Sequence, residues 1–175
     1  MTVVRRTSRK GGFTLVEILI VVIILGILAA IVIPQFTSAS QDARKNSLTS
    51  QLQTLRSQLE LYKLQHLDKM PADLIGATPS WAQFVNRTDK NGSTGVDAAT
   101  HPFGPYLQAV PVNSLNGYTG VATVNVDTAA DPGDAVTGSS IGFVINASNG
   151  KVWGTTKSGT KVYNEADPAA TANDE

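Results

Sequence analysis

The sequence predicts an α+β fold in which one long N-terminal helix packs on a small C-terminal antiparallel β-sheet. Three observations carry this. Residues 18–33 read ILIVVIILGILAAIVI, without a polar side chain. Leu48, Leu52, Leu55, Leu59 and Tyr62 then recur at steps of three and four, the spacing of one helical face. Four short β-prone segments close the chain at 118–126, 141–147, 151–155 and 160–163, with the turn dipeptides Asn149-Gly150 and Ser158-Gly159 between the last three.

The first half of the helix is a membrane span. Residues 13–36 are apolar apart from Thr14, Glu17 and Gln35. At about 1.5 Å per residue, such a helix exceeds the ~30 Å of a hydrocarbon core. Arg5, Arg6, Arg9 and Lys10 precede it, and the positive-inside rule keeps that end in the cytoplasm while the rest is exported. An ordinary secretory signal has a shorter apolar core followed by a small-residue cleavage site. Here the run is longer and Pro34-Gln35-Phe36 follows it.

The basic residues number 14 and the acidic residues 14. Four of the basic ones lie in that N-terminal cluster, so acids outnumber bases in the remainder and the other Lys and Arg are scattered. Phosphate backbones need clustered positive charge, which argues against a nucleic-acid partner. Cysteine is absent, which excludes disulfides, thiolate metal sites and a Cys nucleophile.

Glu17 is the anomaly. A carboxylate at bilayer depth costs about 2.5–3.5 kcal/mol on insertion scales, so such a residue has a partner or a function. No basic side chain lies within two turns beyond it. Gly26 and Pro34 bracket the weakest stretch of helix: Gly costs about 1 kcal/mol relative to Ala, and Pro removes the bond to the Ala30 carbonyl.

Gly11-Gly12-Phe13-Thr14-Leu15-Val16-Glu17, after a short basic leader and before an unbroken apolar run ending at Pro34, resembles the signature of type IV prepilins, shared by type IV pilins and the pseudopilins of type II secretion systems. The resemblance implies a pilin-like fold. It further implies that a prepilin peptidase cuts between Gly12 and Phe13 and methylates the new amino group of Phe13, and that Glu17 of one subunit pairs with the N-terminus of its neighbour during filament assembly. In related filaments the Gly26–Pro34 stretch kinks or melts. The implied partners are copies of the chain itself, other pilin-like subunits, the peptidase, a membrane assembly platform and the lipid bilayer. The implied location is the inner membrane, single-pass, with the C-terminal domain exported and the filament periplasmic or extracellular.

The chain accordingly divides into a cleaved leader (1–12), an assembly helix (13–36), a soluble domain (37–164) and a flexible tail (165–175). Within the soluble domain the helix is expected to reach about Leu67 and to end at Met70-Pro71. Thr78-Pro79-Ser80-Trp81 reads as the cap of a short helix running to about Val85. Residues 86–105 read as loop and 106–112 as irregular extended chain. Gly104-Pro105-Tyr106-Leu107, Val110-Pro111-Val112-Asn113 and Val152-Trp153-Gly154 are similar to the loop and hairpin of major pseudopilins.

Two departures bear on the subtype. Many type IV pilins staple a C-terminal loop with a cysteine pair, and this chain has no cysteine, which favours a type II secretion pseudopilin over an extracellular type IV pilin. Many major pseudopilins bind calcium in an Asp- and Gly-rich loop. Asp127, Asp131 and Asp134 supply hard oxygens, but not at the spacing of an EF-hand loop, so solvated acids and no resident cofactor are expected.

An anchored enzyme and a tethered binding module are the competing classes. His66 and His101 have no nucleophile or metal partner at a recognisable spacing, so no enzymatic activity is expected. Trp81, Phe84, Tyr106 and Trp153 suit a binding face, but aromatics in so small a domain more often form its core.

Overall fold

The computed structural model describes residues 12–124, 135–138 and 140–168. By contacts the chain divides into two compact units, Met1–Ser40 and Gln41–Glu175. One helix, α1 (Leu15–Gln65), supplies the described part of the first unit beyond residue 14 and the first element of the second. Two single-turn helices follow, α2 (Ala72–Ile75) and α3 (Ala82–Val85), then the strands β1 (Arg87–Thr88), β2 (Thr94–Gly95), β3 (Gly120–Val124), β4 (Ile141–Asn146) and β5 (Val152–Gly154).

The predicted leucine stripe forms the helical side of the core. Leu48, Leu52, Leu55, Leu59 and Tyr62 are all buried, each worth about 1.5–3 kcal/mol of transfer free energy. They join Trp81, Phe84, Tyr106, Val121, Phe143, Ile145, Val152 and Tyr163 in one cluster. Trp81, Phe84 and Tyr106 are thus core residues, as expected of aromatics in so small a domain, and Trp153 is half-buried against Val144 and Val162. The Trp81 indole donates to Thr119 O at 2.7 Å.

The end of α1 precedes Met70-Pro71 and uses no glycine. Leu67 and Asp68 both adopt positive φ, 58° and 60°. The Asp68 N–H reaches back to Lys63 O at 2.8 Å, the closing bond of a Schellman motif. His66 sits just inside, buried, with Nδ1 2.8 Å from Tyr62 O, Nε2 3.0 Å from the Thr88 hydroxyl and its ring stacked on Tyr62. It is a packing residue.

Several local expectations are corrected. The short helix begins at Ala82, with Trp81 in the cap position and no side-chain cap bond; Ser80 only accepts a 3.4 Å bond from the Ala82 N–H, because Trp81 is drawn into the core. α2 was not foreseen. Residues 86–105 contain the antiparallel hairpin β1–β2, held by buried Gln83, which donates to Gly92 O at 2.5 Å and accepts from the Asp73 N–H at 3.0 Å. Gly92, at φ 87°, comes so close that an added Cβ would lie 2.8 Å from both Gln83 Nε2 and Tyr62 Oη. Residues 106–112 contain no strand, as expected.

The three-stranded sheet has the order β3-β4-β5. β4 and β5 pair antiparallel across the Asn149-Gly150 turn, as predicted, but β3 pairs parallel to β4, so the sheet is mixed rather than antiparallel. A parallel neighbour requires a crossover connection rather than a tight turn. The predicted 160–163 strand is reduced to bridges, Thr155↔Val162 and Ala135↔Lys161. Arg56 on α1 ties the residue after this segment to the sheet: its guanidinium donates to Val152 O and to both Glu165 carboxylate oxygens, at 2.5–3.1 Å. Glu165, the residue at which the expected flexible tail begins, thus carries an ion pair to Arg56. Asp127, Asp131 and Asp134 lie outside the described residues.

Candidate assembly site

In the first unit the described residues 12–36 are exposed. Phe13 is 85% exposed, Gly12 is exposed, and the apolar residues from Leu15 to Ile33 are all solvent-facing. The helix is long and apolar enough to cross a membrane. An apolar surface of this extent has two physical outlets, lipid and protein.

At its start the sequence Thr14-Leu15-Val16-Glu17 closes a capping box. The Thr14 N–H and the Thr14 hydroxyl both donate to Glu17 Oε2 at 2.8 Å, and the Glu17 N–H donates to Thr14 Oγ1 at 3.2 Å. Orphan N–H groups of the first turn are thereby satisfied, and the carboxylate lies at the positive end of the helix dipole. The sequence reading gave Thr14 no role, although Thr-x-x-Glu ahead of an apolar run is the signal for one.

Farther along, α1 runs unbroken through both Gly26 and Pro34. Nothing approaches within 4 Å of the place where a Cβ would stand on Gly26. Beyond Pro34, which donates no bond to Ala30 O, the Thr37 and Ser38 hydroxyls turn back onto the Ile33 and Pro34 carbonyls, each at 3.2 Å. Such back-bonding competes with the regular ladder and bends helices. Among the described residues, no group of three or more His, Cys, Asp or Glu side chains gathers to hold a metal.

A helix of this character, capped by a lone carboxylate and continued into a small α+β domain, defines a membrane-anchored subunit of the prepilin kind. The prokaryotic N-terminal methylation motif matches residues 7–33. The chain is 41% identical over 105 residues to the type II secretion system core protein G of Pseudomonas aeruginosa, covering 60% of this chain and 68% of that protein. The corresponding figures are 30% over 104 residues, 59% and 68%, for the core protein G of Klebsiella pneumoniae, and 31% over 103 residues, 59% and 61%, for that of Dickeya chrysanthemi. The chain belongs to the type II secretion system core protein G family. The match spans less than two thirds of the Dickeya protein's length. No solved structure matches the chain significantly.

Proposed function

We propose that this protein is the structural, non-catalytic subunit of a type II secretion pseudopilus, cut between Gly12 and Phe13, methylated at the Phe13 amine, and polymerised through α1 to support protein export. The observation that carries this reading is Glu17, the one ionisable side chain in the exposed apolar stretch 13–36, standing one turn from the predicted new N-terminus. A buried charge left alone is costly, and a paired, hydrogen-bonded one much less so. A neighbour's terminal ammonium seated at Glu17 therefore gives an incoming subunit its register. Until then, the apolar segment holds the subunit in the inner membrane, N-terminus inside.

Gly26 and Pro34 supply the give in the helix that close packing of many copies demands. The proposed partners are other copies, other pilin-like subunits, the peptidase and the assembly platform. The test is mass spectrometry of the mature chain from its native host: the expected N-terminus is methylated Phe13, and any other start would overturn the reading.

A further inference from the structure

Asn91-Gly92, Asn116-Gly117 and Asn149-Gly150 all stand in turns of the second unit. Each glycine has a positive φ, 87°, 76° and 69° in that order, which a residue with a Cβ rarely adopts. The same pairing is chemically reactive. The side-chain carbonyl carbon of an asparagine lies within reach of the next backbone nitrogen, and a following glycine has no Cβ to obstruct the approach.

What distinguishes the three is how their side chains are held. Asn116 is half-buried and fully engaged: Nδ2 donates to Thr155 Oγ1 at 2.8 Å and to Thr156 O at 2.9 Å, and Oδ1 accepts the Tyr118 N–H at 2.9 Å. Asn149 is exposed, but its Oδ1 accepts the Lys151 N–H at 2.9 Å, the bond of an Asx turn. Asn91 is exposed at the tip of the β1–β2 hairpin, and its side chain makes no hydrogen bond among the described residues. The attacking nitrogens are comparably restrained, since the Gly92, Gly117 and Gly150 N–H groups donate to Asp89 O, Asn113 O and Asn146 O at 2.8–3.0 Å. The side chains therefore set the order of reaction.

We propose that Asn91 is a self-modification site, losing its side-chain amide to attack by the Gly92 nitrogen. Solvent hydroxide takes the Gly92 N–H proton, and the nitrogen bonds to Asn91 Cγ. The Cγ–Nδ2 bond breaks, and Nδ2 departs as ammonia with a proton from water. Water then opens the cyclic imide. Opening at Cγ leaves aspartate, whereas opening at the main-chain carbonyl leaves isoaspartate, with an added methylene in the main chain. This inference is independent of the filament reading.

The second product has a structural consequence. Gly92 O accepts from buried Gln83 Nε2 at 2.5 Å, and Gln83 Oε1 accepts the Asp73 N–H at 3.0 Å. The added main-chain atom moves Gly92 O off Gln83 and leaves a buried amide donor unpaired, which is costly. Gly92 also lies close beneath Tyr62 of α1, so the modification loosens the hairpin from both α3 and the end of α1.

The test uses the full chain in detergent, incubated at mildly alkaline pH and then digested at low pH for peptide mapping. Aspartate and isoaspartate are expected to accumulate at position 91. Conversion at Asn116 should be slower by at least about tenfold, because several hydrogen bonds must break before its amide can turn, with Asn149 between the two. In denaturant the three should convert at like rates. The fraction carrying isoaspartate should melt below both the native chain and Asn91→Asp, which keeps the main chain intact. Asn91→Gln, whose longer side chain disfavours the imide, should hold its melting temperature through the incubation. Faster conversion at Asn116 or Asn149 than at Asn91, an Asn91 that converts only after denaturation, or the same order of rates with and without denaturant would each overturn the proposal.

Discussion

Thr14 and Glu17 cap the start of α1 for each other, the carboxylate taking two bonds from Thr14 at 2.8 Å and the hydroxyl taking the Glu17 N–H at 3.2 Å. The glutamate that the filament reading assigns to a neighbour is thus held in a fixed rotamer by its own helix beforehand. Such preorganisation lowers the ordering cost of the contact it is to make.

Glu17→Ala should therefore abolish or strongly reduce filaments while membrane abundance is unchanged. Removing the carboxylate lowers the cost of insertion but leaves a neighbour's ammonium unpaired in the filament, at several kcal/mol. Thr14→Ala should show a milder version, because a lost N-cap costs about 1 kcal/mol, and Thr14→Ser should restore assembly. Filament yield after shearing, normalised by immunoblot, reads both. Native yield from Glu17→Ala would remove this residue from the assembly mechanism.

The proposed processing puts its cut after Gly12, the last residue before Phe13. Gly12→Leu should insert normally yet keep residues 1–12, because a peptidase site narrow enough to demand glycine excludes a branched side chain. Intact-mass measurement of the membrane fraction gives the answer directly, and a correctly trimmed Gly12→Leu chain would contradict it.

Burial lifts the Tyr62 phenol, with Tyr106, Asp73 and Asp89 nearby adding to the effect, to about 12. The neutral form is the one the fold favours. Its contribution is fully present below the unfolded value of about 10 and is lost as pH rises from there to about 12. Melting temperature should fall more steeply across that window in the native protein than in Tyr62→Phe; equal slopes would assign the loss to other groups.

Gly142 lies where the backbone of the 113–118 turn presses on β4. A Cβ there would stand 2.2 Å from Tyr118 O and 3.3 Å from Asn113 Cβ. Backbone cannot yield as a flexible side chain does, so Gly142→Ala should cost more than about 2 kcal/mol, in the range seen for overpacked cores. Chemical denaturation of the full chain in detergent measures it.

Calcium should leave stability untouched. Asp127, Asp131 and Asp134 offer three monodentate oxygens where the ion takes six to eight. A chelator-sensitive melting temperature would reverse this expectation, since a ligand bound only by the folded state stabilises it by mass action.

The sequence by itself determined the apolar helix, the leucine face from Leu48 to Tyr62, and the β4–β5 hairpin at Asn149-Gly150; the Thr14-x-x-Glu17 capping pattern was equally legible, although no role was read from Thr14. Each is encoded within a few residues, by helical period, capping pattern or turn dipeptide, and local physics is enough to read it. Only the tertiary structure decided the direction of β3, the β1–β2 hairpin, the late start of α3 and the anchoring of Glu165. Alternation along a strand fixes which side chains face the core but not whether the neighbour runs parallel or antiparallel. The β1–β2 hairpin depends on Gln83 reaching Gly92 O, and Glu165 depends on Arg56, 109 positions earlier. Such bonds join residues whose proximity exists only once the leucine face has collected the sheet, so no local pattern announces them.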